Sequence, residues 1–276
     1  MRIEKIGSAT LYLADYIDVL PIICTVDVVV TDPPYGVTCN NWDTSIDFTT
    51  FWPLVRHSTK ENSAVCVFSQ QPFTSDLIVS NKKDFRYDLI WIKRKSTGFL
   101  NAKKMPLRAH ETICIFYATL PTYNPQKFYR ATPSYRGPGL RHSTNYGKYA
   151  DLVATGVKDG SRFPLSFIDV DYEDIFFKQA PYKMHPTQKP VKIMEYLIKT
   201  YSNPGEVVLD SFMGCGTTGV AAVRLGRQFV GVEINPVYFD TACRRIEQEC
   251  DNRALLDMEP DAKRPEQTSL LAAHYQ

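Results

Sequence analysis

Val26-Asp27-Val28-Val29-Val30-Thr31-Asp32-Pro33-Pro34-Tyr35 is the stretch that decides the fold. Val26 to Val30 is rich in β-branched residues and is stopped by two prolines, which predicts a buried strand whose carboxyl end opens into a loop. Ligands of open α/β sheets bind at that end of the strands. The prolines fix φ and remove two backbone donors, so carbonyl acceptors stand beside the Asp32 carboxylate. Two acceptors suit the two hydrogens of a planar amino group, and Tyr35 offers an aromatic face. Taken alone, Asp32 also reads as a turn residue after a strand.

Outward from this point, strands and helices alternate. Thr10 to Ala14 predicts a strand ending at Asp15, followed by a short helix up to Pro21. Phe51 to Thr59 has helical spacing, and 63–68, 87–93 and 112–117 read as strands. Val191 to Ile198 is helical and is stopped by Asn203-Pro204-Gly205. A strand at Val207 to Asp210, a helix at Thr217 to Leu225 capped by Gly226, and a strand at Phe229 to Glu233 follow. Asn235 is an N-cap with Pro236 at the first helical position. The alternation predicts a doubly wound, Rossmann-like α/β sheet, mostly parallel. Residues 120–180 lack periodicity and are rich in Pro, Gly, Tyr, Ser and Arg, which marks a long irregular insert. From about Asp251 the chain turns polar, and a loosely held tail is expected over 251–276.

A second block, Val207-Val208-Leu209-Asp210-Ser211-Phe212-Met213-Gly214-Cys215-Gly216-Thr217-Thr218-Gly219, is preceded by His185-Pro186-Thr187-Gln188-Lys189-Pro190. Together with Asp32-Pro33-Pro34-Tyr35, these resemble the S-adenosylmethionine-dependent amino-methyltransferases of DNA, in the motif order of their beta class. The resemblance spans roughly residues 10 to 250, and the loop between the 87–93 and 112–117 strands and His110-Glu111 share in it. It implies a catalytic half over 1–119, a target-recognition region over 120–180 and a cofactor-binding half over 181–250. The implied activity is methylation of adenine N6 in double-stranded DNA, with cytosine N4 and an RNA adenine left open. Asp at the head of the motif leans toward adenine on resemblance alone. A homodimer and a cognate restriction endonuclease are further expected partners, although no apolar interface stripe is visible.

Gly214-Cys215-Gly216-Thr217-Thr218-Gly219 also spells the dinucleotide fingerprint, with Glu233 roughly 20 residues on, so a nicotinamide-dependent oxidoreductase is the rival from another class. In that fingerprint the glycines follow the strand directly and meet a pyrophosphate. Here Asp210 ends the strand and Ser211-Phe212-Met213 intervene, putting a negative charge where a sulfonium and an ammonium fit and a pyrophosphate does not. Asp210 is therefore placed near the methionine part of the cofactor, Gly214 and Gly216 allow its close approach, and Glu233 takes its ribose hydroxyls; the resemblance adds Phe212, Thr217 and Thr218 of the same loop. The glycines alone would equally serve a tight turn. Thr187, Gln188 and Lys189 at a helix start suit the cofactor carboxylate or a plain cap. Asp15 either approaches the adenosine, as the resemblance implies, or caps a helix.

The amine of adenine is a poor nucleophile because its lone pair is delocalised into the ring. Asp32 and the Pro33 carbonyl are expected to accept its two hydrogens, with Pro34 stiffening the turn and Tyr35 stacking on a base turned out of the duplex. Attack at cytosine C5 needs a thiolate, which in that chemistry follows a proline, and the chain has no Pro-Cys pair.

Over 276 residues the net charge is only +2, but it is unevenly spread. Residues 93–149 hold eleven cations against the single acid Glu111, interleaved with Phe99, Tyr123, Phe128, Tyr129, Tyr135, Tyr146 and Tyr149. That pattern fits a phosphate- and base-contacting surface, or a solvated basic face. A non-catalytic nucleic-acid-binding module on the same scaffold remains a third class. The seven cysteines are scattered without metal-ligand spacing, so no metal and no disulfide framework is expected. No signal peptide or membrane span is read, and a cytoplasmic protein is expected.

Overall fold

The computed structural model describes residues 1–36, 45–129, 161–169 and 188–258. In chain order the elements are β1 (Arg2–Ile6), β2 (Ala9–Leu13), α1 (Tyr16–Val19), β3 (Val26–Thr31), α2 (Phe48–Ser58), β4 (Thr59–Ser69), α3 (Phe73–Ser80), β5 (Phe85–Thr97), β6 (Arg108–Phe116), β7 (Phe128–Tyr129), β8 (Ser161–Arg162), β9 (Phe167–Ile168), α4 (Val191–Tyr201), β10 (Val207–Asp210), α5 (Thr217–Arg224), β11 (Gln228–Glu233) and α6 (Pro236–Met258).

Nine strands form one sheet in the order β1-β2-β11-β10-β3-β4-β6-β5-β9. The five from β2 to β4 are mutually parallel, while β1 and β6 run against their neighbours. Both faces of the central strands are apolar, as a sheet covered on two sides demands. Alternate residues sort accordingly. Val28, Val30 and Val208 pack with Ile193, Leu197 and Val220 on one face. Val29 and Leu209 pack with Phe51, Val55, Phe73 and Leu77 on the other. Each fully buried aliphatic side chain contributes about 1.5–3 kcal/mol.

The expected doubly wound α/β sheet is the one observed, with differences at its edge, in the insert and in the tail, and with the short helix α3 added. β1 carries little strand signal of its own, with two apolar residues among three charged ones in Arg2-Ile3-Glu4-Lys5-Ile6, and owes its order to antiparallel pairing with β2. The irregular insert is not uniformly separate: Phe167–Ile168 pairs in parallel with Ile90 and Trp91 of β5, and Asn124 bonds the carbonyl of Thr200 at the end of α4. The polar tail begins later than expected, since α6 runs to Met258. Arg253 of its last turns donates to Val223 O, and Arg224 bonds Glu249 at 2.9 Å, so polar contacts with the preceding helix support this end of α6. Residues 259–276 lie outside the described ones. Pro125–Leu165 forms a unit of its own, whose described part is the β7–β8 pair with Lys127 5.2 Å from the ring centre of Phe163. Among the described residues no helix is long and apolar enough to cross a membrane.

Candidate active site

β3 and β10 are neighbours in the sheet, so Asp32 and Asp210 emerge side by side at its carboxyl edge. Asp210 is 2% exposed. Its Oδ1 accepts from the Thr31 hydroxyl (2.8 Å) and the Phe212 N–H (3.1 Å), and its Oδ2 from the Thr218 hydroxyl (2.6 Å). Burial pushes its pKa up to about 6 against the pull of these bonds. Three of a carboxylate's roughly four acceptor sites are thus filled by the protein. Asp210 clamps the strand ends to the loop that follows and keeps one site for another donor.

That loop is shaped by Glu233 at the end of β11. Its Oε2 accepts from the Gly214 N–H at 2.9 Å and its Oε1 from the Asn235 N–H at 2.7 Å, while burial raises its pKa. Gly214 and Gly216 both have positive φ, 53° and 80°. A Cβ at Gly216 would stand 2.8 Å from that of Ala242, whereas one at Gly214 would meet nothing within 4 Å. Gly216 is therefore required by packing, and Gly214 keeps open space over the loop. Arg245 of α6 secures the loop from behind by donating to Cys215 O (2.6 Å) and Thr217 Oγ1 (3.2 Å). The Gln188 amide, oriented to satisfy its surroundings, accepts from the same guanidinium at 3.2 and 2.9 Å. Phe212 packs 5.0 Å from Tyr16, and Asp15 caps α1 by accepting from the Ile17 N–H at 3.0 Å.

Around Asp32 lies a chain of charges. Lys189, 6% exposed, donates to Asp32 Oδ2 at 2.5 Å and sits 3.3 Å from Glu111 Oε2. Glu111 also accepts from Lys93 at 2.8 Å. Burial would lower the Lys189 pKa, but Asp32 and Glu111 outweigh it and the net shift is upward. Burial likewise pushes Glu111 up, and the two lysines pull it below its ordinary value. The ammonium expected near a cofactor carboxylate thus has carboxylates of the protein as its neighbours. Lys93, counted among the cations of a basic surface, is part of this buried chain instead. The Tyr35 hydroxyl donates to Asp32 Oδ1 at 2.5 Å, and its ring lies 5.2 Å from Phe73.

Most of these groups border one cavity of about 1580 Å³, lined by Asp15, Asp32 to Tyr35, Lys93, Glu111, Gln188, Lys189, Asp210 to Cys215, Thr217, Thr218 and Glu233 among others, with Arg245 and Gly216 behind its wall. The volume exceeds the roughly 300–1,000 Å³ of a single small-ligand pocket, leaving room for two ligands at once. Every expected site residue except Gly216 and Thr187 borders it; Gly216 lies beneath the loop, and Thr187 lies outside the described residues. Three buried polar atoms on residues of the wall lack a hydrogen-bond partner among the described residues: Ser211 Oγ, Trp91 Nε1 and Glu111 Oε2, the last of which has the Lys189 ion pair at 3.3 Å. Sequence reasoning missed Lys93, Ser211 and Arg245. The only signal for Lys93 was its place one strand away from Glu111, and Arg245 carried none.

Comparison with known proteins agrees with this architecture. Residues 26–244 match the family N6_N4_Mtase, described as DNA methylase. The chain is 28% identical over 240 residues to the type II methyltransferase M1.MboII of Moraxella bovis, covering 79% of this chain and 88% of that one. It is 42% identical over 77 residues to the DNA adenine methyltransferase YhdJ of Escherichia coli (strain K12), a match that takes in 28% of this chain and only 26% of YhdJ. In fold it resembles the M1.HpyAVI–SAM complex (TM-score 0.55, 23% identity, 86% of this chain and 99% of that chain). It also resembles the cytosine-N4-specific PvuII DNA methyltransferase (TM-score 0.64, 15% identity, 92% and 94%). With most of its length matched, the chain belongs to the N6_N4_Mtase family of DNA methylases, amino-methyltransferases that depend on S-adenosylmethionine.

Proposed function

We propose that this protein methylates adenine N6 in double-stranded DNA, acting on a base turned out of the helix. The observation that carries the reading is the single cavity in which the Asp32 carboxylate and Tyr35 ring face the same space as the Gly214 loop and Glu233. Adenine is favoured over cytosine by the Asp that heads the motif and by the local likeness to YhdJ, named as an adenine methyltransferase. The likeness to M1.MboII, a type II methyltransferase, supports a restriction-modification setting with a cognate endonuclease, in a bacterial cell or its virus-infected cytoplasm.

The residues present fit S-adenosylmethionine. Asp210 keeps an acceptor site for an ammonium, Glu233 keeps a lone pair on each oxygen for ribose hydroxyls, the Ser211 hydroxyl, without a partner among the described residues, is on a residue that borders the same space, and Gly214 leaves room for close approach. When bound, the cofactor supplies an electrophilic methyl group. The protein's own part is positioning and charge. Lys189 and Tyr35 hold the two Asp32 oxygens and leave about two of its acceptor sites for the amine hydrogens. Asp32 and the Pro33 carbonyl then draw the amine nitrogen toward tetrahedral geometry, and the carboxylate stabilises the positive charge that develops on it. Pro34 stiffens this turn, and Tyr35, braced by Phe73, offers its ring to the base. Gln188 with Arg245 and Thr217 keeps the loop in place. Residues 1–119 and 181–250 serve as catalytic and cofactor halves on this reading, with target recognition in 120–180.

The test is to incubate the protein with methyl-labelled S-adenosylmethionine and unmethylated genomic DNA and separate the nucleosides. Label in N6-methyladenine is expected, and label in N4-methylcytosine would overturn the choice of base. Asp32→Asn should retain cofactor binding and lose turnover by about 100-fold or more. Turnover within a few-fold of wild type would remove Asp32 from the mechanism.

A further inference from the structure

We propose that the tip of the β5–β6 hairpin is a wedge that enters the base stack of duplex DNA beside the turned-out base, an inference that rests on the methyl-transfer reading above. Ser69, the last residue of β4, is level with Thr112 of β6, and Thr112 with Ile90 of β5. From Trp91 to Thr97, β5 therefore continues past the carboxyl edge of the parallel strands, a reach of roughly 20 Å. It projects on the side where the cavity opens, and its Thr97, Gly98, Asn101, Met105 and Arg108 line that cavity together with Asp32 and Tyr35.

At its end the hairpin presents apolar side chains to solvent. Leu100 is 93% exposed, Phe99 80% and Met105 58%. Single exposed apolar residues are ordinary, but three within one turn region, rimmed by exposed Lys103 and Lys104 and with no acid between Gly98 and Arg108, form a patch. The tip is also stiff. Gly98 at φ 89° reverses the chain, and N–H groups of Asn101, Ala102, Lys104 and Met105 bond back to carbonyls of Gly98, Phe99, Asn101 and Asn101 at 2.8–3.1 Å. An apolar point on a rigid mount, flanked by cations, matches what inserts between base pairs while lysines meet the phosphates. A duplex also presents a reason for it: turning out a base leaves a gap in the stack, and filling that gap offsets part of the cost of unstacking. The charge of the tip and its continuity with the cavity that Asp32 and Tyr35 line commit the occupant to DNA rather than to an apolar protein face.

The recognition sequence is first read from the methylation that the wild-type protein leaves on genomic DNA. Two synthetic duplexes carrying it are then compared, one fully paired and one with an abasic position opposite the target, which makes extrusion easy. Phe99→Ser/Leu100→Ser should methylate the paired duplex at least about tenfold more slowly and the abasic duplex within about twofold of wild type, with cofactor affinity unchanged. Equal loss on both duplexes, or no loss on either, would overturn the wedge. Equal loss accompanied by a fall in sedimenting mass would make the tip a self-association face instead. No methylation of any DNA by the wild-type protein would refute the underlying reading, not the wedge as such.

Discussion

Lys189→Met separates the role read from sequence, an ammonium for the cofactor carboxylate, from the one the contacts define, a buried counterion between Asp32 and Glu111. Methionine keeps the length of the stem and removes the charge. At 3.3 Å and an effective dielectric of about 20, the attraction to Glu111 alone is on the order of 5 kcal/mol before desolvation. Breaking a buried pair by deleting one partner costs about 3–5 kcal/mol. Glu111 retains Lys93, and the Asp32 side chain is 22% exposed, so the lower end of that range, about 3 kcal/mol, is expected. For a domain of this size that corresponds to a fall in Tm of roughly 6–12 °C. The loss has a pH signature. In the wild type Glu111 sits below its ordinary pKa, so its stabilising contribution is present above the unfolded carboxylate value and fades as pH falls through the folded one. Without Lys189, burial is opposed by Lys93 alone and the folded pKa rises. The deficit of the variant should therefore be larger at pH 8 than at pH 5. Thermal melts at both pH values and a cofactor titration decide the matter. A variant that melts within about 2 °C of wild type, binds the cofactor at least about tenfold more weakly and keeps its turnover at saturation would refute the counterion role.

Two neighbouring glycines should behave oppositely. Gly216→Ala puts a methyl against Ala242 on top of a left-handed backbone, and a loss of about 2 kcal/mol or more is expected by denaturant titration. Gly214→Ala bears only the backbone term of about 1–2 kcal/mol, but its methyl enters the open space over the loop, so cofactor affinity should fall by more than stability does; a reversed order would move the cofactor elsewhere. Asp210 gives a pH dependence with a definite sign. Its carboxyl takes up a proton as pH falls through about 6, and an ammonium prefers the ionised form, so cofactor affinity should drop below that pH. In Asp210→Asn the affinity, measured by calorimetry between pH 5 and 8, should be weaker and flat; a wild-type profile that is itself flat would argue against contact between Asp210 and the ammonium.

The sequence was most informative where one residue's neighbours settle its state. The β-branched run before Asp32, the strand before Asp210 and the glycines after it each carry their own local signal, and the strand ends fall where those signals put them. Asn235 caps α6 through the Val237 N–H at 2.9 Å, as its position before a proline suggested. Illegible were features made by pairing of distant segments. Lys189 meets Asp32 from 157 residues away, and nothing beside it in the chain distinguishes a counterion from a ligand-binding lysine. Arg245 lies mid-helix among other charges and owes its role to the loop that α6 happens to cover. α3 follows Pro72 without a side-chain cap and is only eight residues long, too short for its periodicity to stand out. The later end of α6 is not legible in the sequence because the bond of Arg253 to a carbonyl of the preceding helix and the Arg224–Glu249 ion pair, contacts with a distant segment, support it.

The order of strands in the sheet also governs how the protein is made. β3 lies at the centre, paired on one edge with β4 and on the other with β10, where Val28 meets Val208. At about 5–20 residues per second, a ribosome needs roughly 10–35 s to supply that second partner after β3 has emerged. During this interval a valine-rich strand has one edge without its partner, and β2, which waits for β11 with Ala9 opposite Phe229, is in the same position. Such an edge templates pairing with other chains. Synthesis of this fold therefore passes through a long-lived nascent state in which its most aggregation-prone strands depend on chaperones for cover, and slowing translation between the two halves should lower the soluble yield.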